Sequence, residues 1–103
     1  MKGNTLAAAK QDNGIVVVFD VSGMNREQYD QVIKNLEAAG QEKPSGRLYD
    51  VASPTPGGWL VVDVWDSRGH LDAFARTLMP TLQKAGVPPP QPKICPVHNI
   101  IKG

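Results

Sequence analysis

The stretch Ser53-Pro54-Thr55-Pro56-Gly57-Gly58-Trp59-Leu60-Val61-Val62-Asp63-Val64-Trp65-Asp66-Ser67 sets a turn, a strand and a helix start one after another. Across 53–58 proline fixes φ and glycine permits positive φ, so this segment reads as a turn. Residues 59–65 are β-branched and aromatic, the composition of a strand. Their side chains alternate: Leu60, Val62 and Val64 point to one face, and Trp59, Val61, Asp63 and Trp65 to the other. Residues 47–52, on the far side of the turn, read as a shorter strand, so the two form an antiparallel hairpin. Asp66 or Ser67 caps the helix that follows, whose apolar stripe is Leu71, Phe74, Ala75, Leu78 and Leu82.

Upstream of the hairpin, Ile15-Val16-Val17-Val18-Phe19-Asp20-Val21 is a strand with apolar residues on both faces, bounded by Asn13-Gly14 and Ser22-Gly23. A helix follows. Asn25 is its N-cap and Gln28 the reciprocal partner of a capping box, with Met24 and Tyr29 as a hydrophobic staple. Tyr29, Val32, Ile33 and Leu36 fall on one stripe, and Gly40 supplies the left-handed residue that ends the helix. Downstream of the second helix, Pro80 predicts a kink or a restart near Met79, because it removes the donor to the Arg76 carbonyl. Gly86 ends that helix, Val87-Pro88-Pro89-Pro90 is a stiff connector, and 94–101 is the last strand. Pro96 assigns that strand to a sheet edge, where a missing donor is tolerated.

The order is therefore β-α-β-β-α-β: an α+β, ferredoxin-like domain with a four-stranded antiparallel sheet and two helices on one face. The chain of 103 residues has room for one domain. Residues 14–103 are expected to form it, and the small, polar residues 1–13 to be a flexible N-terminal leader. The helices leave one sheet face bare, and strands one and three carry apolar residues there. A bare apolar face marks an interface, and a two-fold homodimer joined sheet to sheet is the simplest closure.

Composition excludes several classes of function. A net charge of +1 with acids and bases interspersed gives no electrostatic reason to expect nucleic acid or an anionic membrane. The single cysteine, Cys95, cannot form an internal disulfide, and as a strand residue it reads as a small buried hydrophobe. No stretch has the length of a secretory signal core or a membrane span, so a cytoplasmic setting is the default. His70, Cys95 and His98 lack zinc spacing, and no metal is expected. There is also no nucleophile elbow, phosphate loop or dinucleotide fingerprint.

The run Val61-Val62-Asp63-Val64-Trp65-Asp66-Ser67, entering a helix led by Leu71 and Phe74, resembles the dimeric α+β barrel superfamily. Within it the resemblance is to a bacterial branch of the small antibiotic biosynthesis monooxygenase-like proteins. The connector before Pro96-Val97-His98-Asn99 fits the same pattern. The resemblance implies a homodimer with a pocket between each sheet and its own helices. It implies an apolar or aromatic small-molecule ligand and, in the enzymatic case, a cofactor-independent oxygenase or cyclase. Trp65 matches a pocket-lining tryptophan of oxygenase members. Haem degradation is disfavoured: strand one offers Asp20 where those enzymes carry asparagine, and 74–84 contains no histidine.

The residues with candidate chemistry each have a plain structural alternative. Trp65, Trp59, Tyr49 and Phe74 either contact the ligand or fill the core. Asp63, set among valines, is either ion-paired, with Arg47 as one partner, or faces a pocket where desolvation would make it a base near neutral pH. Asp20 poses the same question. His98 is a proton shuttle, or it bonds a backbone carbonyl or a dimer partner. His70, near the helix start, is expected in solvent. A non-catalytic ligand-binding or assembly domain is the alternative to an enzyme.

Overall fold

In the computed structural model, which describes residues 14–103, strand β1 (Ile15–Ser22) leads into helix α1 (Arg26–Ala38). Strands β2 (Arg47–Thr55) and β3 (Gly58–Trp65), helix α2 (Arg68–Lys84) and strand β4 (Lys93–Pro96) follow. The expected leader over 1–13 lies outside the described residues. The strands form one sheet in the order β2-β3-β1-β4, with every pairing antiparallel. This is the ferredoxin-like β-α-β-β-α-β fold read from the sequence.

The helix starts are those the capping logic predicts. The Asn25 carboxamide accepts from the Gln28 amide at 2.8 Å, and Gln28 returns a bond to the Asn25 amide at 3.0 Å. Between the two candidate caps of α2, Ser67 is the one used, accepting from the His70 amide at 3.2 Å. Val32 and Leu36 of α1 and Leu71, Phe74, Leu78 and Leu82 of α2 are buried against Val17, Phe19, Val21, Trp59 and Trp65 of the sheet. Full burial of each such side chain contributes about 1.5–3 kcal/mol.

Three boundaries differ from expectation. The hairpin is tighter: β2 continues through Pro54 to Thr55, and only Pro56 and Gly57 (φ 80°) make the turn. Pro54 is tolerated because β2 is an edge strand. Helix α2 runs unbroken through Pro80. Pro80 and Arg76 are both exposed, so water can satisfy the carbonyl that loses its donor. Finally, β4 stops at Pro96 instead of reaching 101. Pro96 already lies opposite Ile15, the first residue of β1, so later residues have no strand to pair with. One more bond, from the Val97 amide to the Gly14 carbonyl at 3.0 Å, closes the ladder.

The face of the sheet away from the helices is apolar and open. Cys95, Val16, Val64 and Tyr49 stand in one cross-strand row, and Lys93, Val18, Val62 and Val51 in the next. Val51 is 63% exposed. Cys95 is exposed, not buried as its strand setting suggests, because it belongs to this uncovered face. Asp20 is exposed too and lies opposite Leu60. Among the described residues no helix is long and apolar enough to cross a membrane.

Candidate active site

Among the described residues Asp63 is the one carboxylate in the core, 4% exposed on the helix-facing side of β3. Its Oδ2 accepts from the Trp65 indole at 3.3 Å, a bond made possible because residues two apart on a strand share a face. Its Oδ1 is buried with no donor among the described residues. Directly across the β2–β3 ladder stands Asp50. Its carboxylate, a like charge, makes ionising Asp63 more costly. Burial, and then the neighbouring Asp50, push the Asp63 carboxyl up to about 7, while the Trp65 bond and the charge of Arg47 pull the other way.

Arg47 owes its place to a β-bulge. The register shifts between Arg47 and Tyr49, so that Arg47 faces Trp65 while Tyr49 faces Val64. The extra residue turns Arg47 onto the face that holds Asp50 and Asp63, which strict alternation would deny it. Its guanidinium pairs with Asp50 at 3.5 Å and donates to the Glu42 carbonyl at 2.9 Å. The ion pair anticipated between Arg47 and Asp63 is thus made with Asp50, and Asp63 keeps an unmet oxygen.

These groups border a cavity of about 70 Å³ between the sheet and both helices. Asp63, Asp50 and Arg47 supply its polar side; Phe19, Tyr29, Val61 and Phe74 are among its apolar walls. Tyr29, Ile33, Leu36, Arg47 and Asp50 also line an outer depression of about 350 Å³, so the cavity opens to solvent past them. Tyr29 stacks on Trp59 with ring centroids 5.1 Å apart. Burial and the nearby Asp50 raise its phenol above the ordinary tyrosine value.

Of the residues singled out from sequence, Asp63 and Phe74 line this cavity. Trp65 is fully buried behind them, tilted against Phe74 at 5.2 Å, and touches the site through its bond to Asp63. Trp59 is reached through Tyr29 and borders a separate surface depression beside Gly23 and Asn25. Tyr49 does not enter the cavity: it is 41% exposed and shares the open face with Val64. Nor does His98, which is exposed in the segment after β4, because that strand ends before it. The sequence does not single out Asp50, and it shows Tyr29 only as part of the staple and apolar stripe of α1.

A second polar group lies at the start of α2. His70 Nδ1 is 2.7 Å from Asp66 Oδ1 and 3.3 Å from Ser67 Oγ. Both partners approach the same ring nitrogen, so the imidazole cannot relay a proton from the serine to the aspartate through its two nitrogens. The His70 bond holds the Asp66 carboxyl below its ordinary value. Among the described residues no group of three or more His, Cys, Asp or Glu side chains is placed to hold a metal ion.

No protein-family model matches the sequence, and no curated protein matches it. Solved structures do match in fold. SnoaB, a cofactor-independent oxygenase from Streptomyces nogalater, superposes with a TM-score of 0.66 at 8% identity, over 88% of this chain and 99% of that one. The ActVA-Orf6 monooxygenase of Streptomyces coelicolor, solved with nanaomycin D, gives 0.61 at 15% identity, over 89% of this chain and 94% of that one. A dimeric ferredoxin-like protein from an uncultured marine organism gives 0.58 at 12% identity, over 91% and 96%. The fold is that of the antibiotic biosynthesis monooxygenase-like, ferredoxin-fold proteins, as the resemblance in the sequence implies.

Proposed function

We propose that this protein is a homodimer that binds an apolar small molecule, aromatic ones included, between its sheet and helices. We assign Asp63 to moving a proton on that ligand in chemistry of the cofactor-independent oxygenase or cyclase kind. The observation that carries the reading is the buried Asp63 carboxyl, with one oxygen lacking a donor, on the wall of an apolar cavity. A carboxyl poised near neutral pH is suited to general acid–base work. The uncovered valines of the sheet support the dimer, as does the likeness in fold to a dimeric ferredoxin-like protein. His98, exposed and outside the cavity, has no part in the proton step.

The test is a thermal-shift screen with apolar and aromatic compounds, since a ligand selective for the native state raises its melting temperature by mass action. A hit should lose its effect in Val61→Phe, which fills the cavity, and its turnover should fall in Asp63→Asn. A screen without a stabilising compound would sink the reading.

The size of the cavity favours a second reading. One water needs about 10–15 Å³, so a cavity of about 70 Å³ holds a few waters or a small group. With Trp65 sealed behind Phe74, the chain then serves as a non-catalytic binding or assembly domain. Under that reading Asp63→Asn changes stability and no turnover.

A further inference from the structure

The polar side of the cavity has an unbalanced charge inventory. Two carboxyls, Asp50 and Asp63, face each other across the ladder, and one guanidinium, Arg47, serves them. That guanidinium is paired with Asp50, leaving Asp63 Oδ1 without a donor on the wall of the apolar cavity. The outer depression does not supply the missing positive charge: Asp30, Glu37, Glu42 and Asp50 border it against Lys43 and Arg47. Like charges placed opposite each other on a sheet repel, and a desolvated carboxylate is costly. In the empty cavity a proton held by the pair relieves both. A bound cation would relieve them equally and would gain a charge-assisted hydrogen bond as well.

We infer that the cavity takes an apolar amine, its ammonium seated between Asp63 and Asp50 and its hydrocarbon part against Phe19, Val61 and Phe74. The aromatic face of Tyr29, at the mouth, adds a cation–π contact. This names the ligand class of the site proposed above and rests on that reading. The groups that face Asp63 are Arg47 and Asp50 from β2 and Trp65 from its own strand, with Tyr29 and, beyond it, Asp30 from α1. The α2 residues at the cavity, Phe74, Leu78 and Leu82, carry no charge. When the ammonium arrives the proton of the pair leaves to solvent, so binding below neutral pH releases a proton. Amine affinity then rises as the pH passes upward through the titration of Asp63.

Three probes of one size, small enough for a cavity of about 70 Å³, separate the outcomes: isobutylamine, isobutanol and isobutyrate, titrated by calorimetry at pH 6 and pH 8 in buffers of different ionisation enthalpy. The expected order is amine over alcohol by about tenfold or more at pH 8, with carboxylate weakest. Proton release at pH 6 should be specific to the amine. Asp63→Asn should erase the amine preference while leaving alcohol affinity in place. If the alcohol binds as well as the amine, or isobutyrate binds best, the amine inference is overturned and the apolar cavity stands. If none of the three binds, both fall.

Discussion

Asp50 and Asp63 stand directly opposite one another on β2 and β3, and Asp63 is 4% exposed. In this arrangement a proton is more stable on the pair than in solution, and the consequence for folding has a definite sign. The Asp63 carboxyl sits at about 7 in the fold, whereas an unfolded aspartate titrates at about 3.9. Between those values the native state holds a proton that the unfolded chain has lost, so stability declines as pH rises through that window and levels off above it. Asp63→Asn should flatten the decline. At pH 8 the variant should melt higher than the wild type, by on the order of 5 °C for a domain of this size. Melting curves from pH 4 to pH 8 provide the check, and parallel profiles for the two proteins would refute it.

The Trp65 indole opposes this upward push, because it donates to Asp63 Oδ2 at 3.3 Å and favours the ionised form. Trp65→Phe keeps an aromatic ring against Phe74 and removes the donor. The Asp63 carboxyl should then titrate higher than in the wild type, as followed by carbon-13 chemical shift of the carboxyl. A lower value would mean that the indole acts through packing alone. Trp65→Ala is a different experiment: it empties a fully buried site and should cost about 3–5 kcal/mol of stability.

What the sequence revealed of this site, and what it hid, follows from the range of each interaction. The Asn25–Gln28 capping box, the stripe from Tyr29 to Leu36 and the alternation that sets Asp63 beside Trp65 are local patterns. All are legible in a single stretch of chain. Asp50 became invisible through one boundary. With a turn spread over 53–58 the hairpin has no fixed register, whereas the observed two-residue turn sets Thr55 against Gly58. Counting back from there puts Asp50 against Asp63. The bulge then moves Arg47 opposite Trp65, and nothing in residues 47–49 announces it. His98 lies outside the strand for a related reason: the apolar pattern runs on to 101, but β1 runs out at Ile15.

Gly46 offers a test of how the loop before β2 is held against α2. It has φ 89°, a conformation that L side chains rarely adopt, and a Cβ there would meet the His70 ring and the Asp66 carboxylate. Its carbonyl also accepts from the Asp66 amide at 2.8 Å. Gly46→Ala should therefore destabilise the fold by more than about 1 kcal/mol. Combining it with His70→Ala should recover part of the loss, since the second change removes the ring from the collision and leaves the Asp66 contact and the backbone strain. Chemical denaturation of the two single variants and the double variant measures that coupling. Strict additivity would show that the ring moves aside freely.

The proposed dimer makes the sharpest demand on the open face. Val62 lies between Val18 on β1 and Val51 on β2, at the centre of an apolar row in which Val51 is 63% exposed. A lysine at the centre of a sheet-to-sheet interface would be buried without a partner, at a cost of several kcal/mol per site. In a two-fold assembly the substitution enters twice, once from each copy. In a monomer the same lysine simply extends into water, so the fold itself should tolerate it. Light scattering should accordingly find the wild type dimeric at micromolar concentration and Val62→Lys monomeric, with far-UV circular dichroism unchanged. Glu27→Lys on the exposed side of α1 adds a cation without touching that face and should leave the dimer intact. A monomeric wild type, or a Val62→Lys protein that still dimerises, would move the interface elsewhere and leave these valines unexplained.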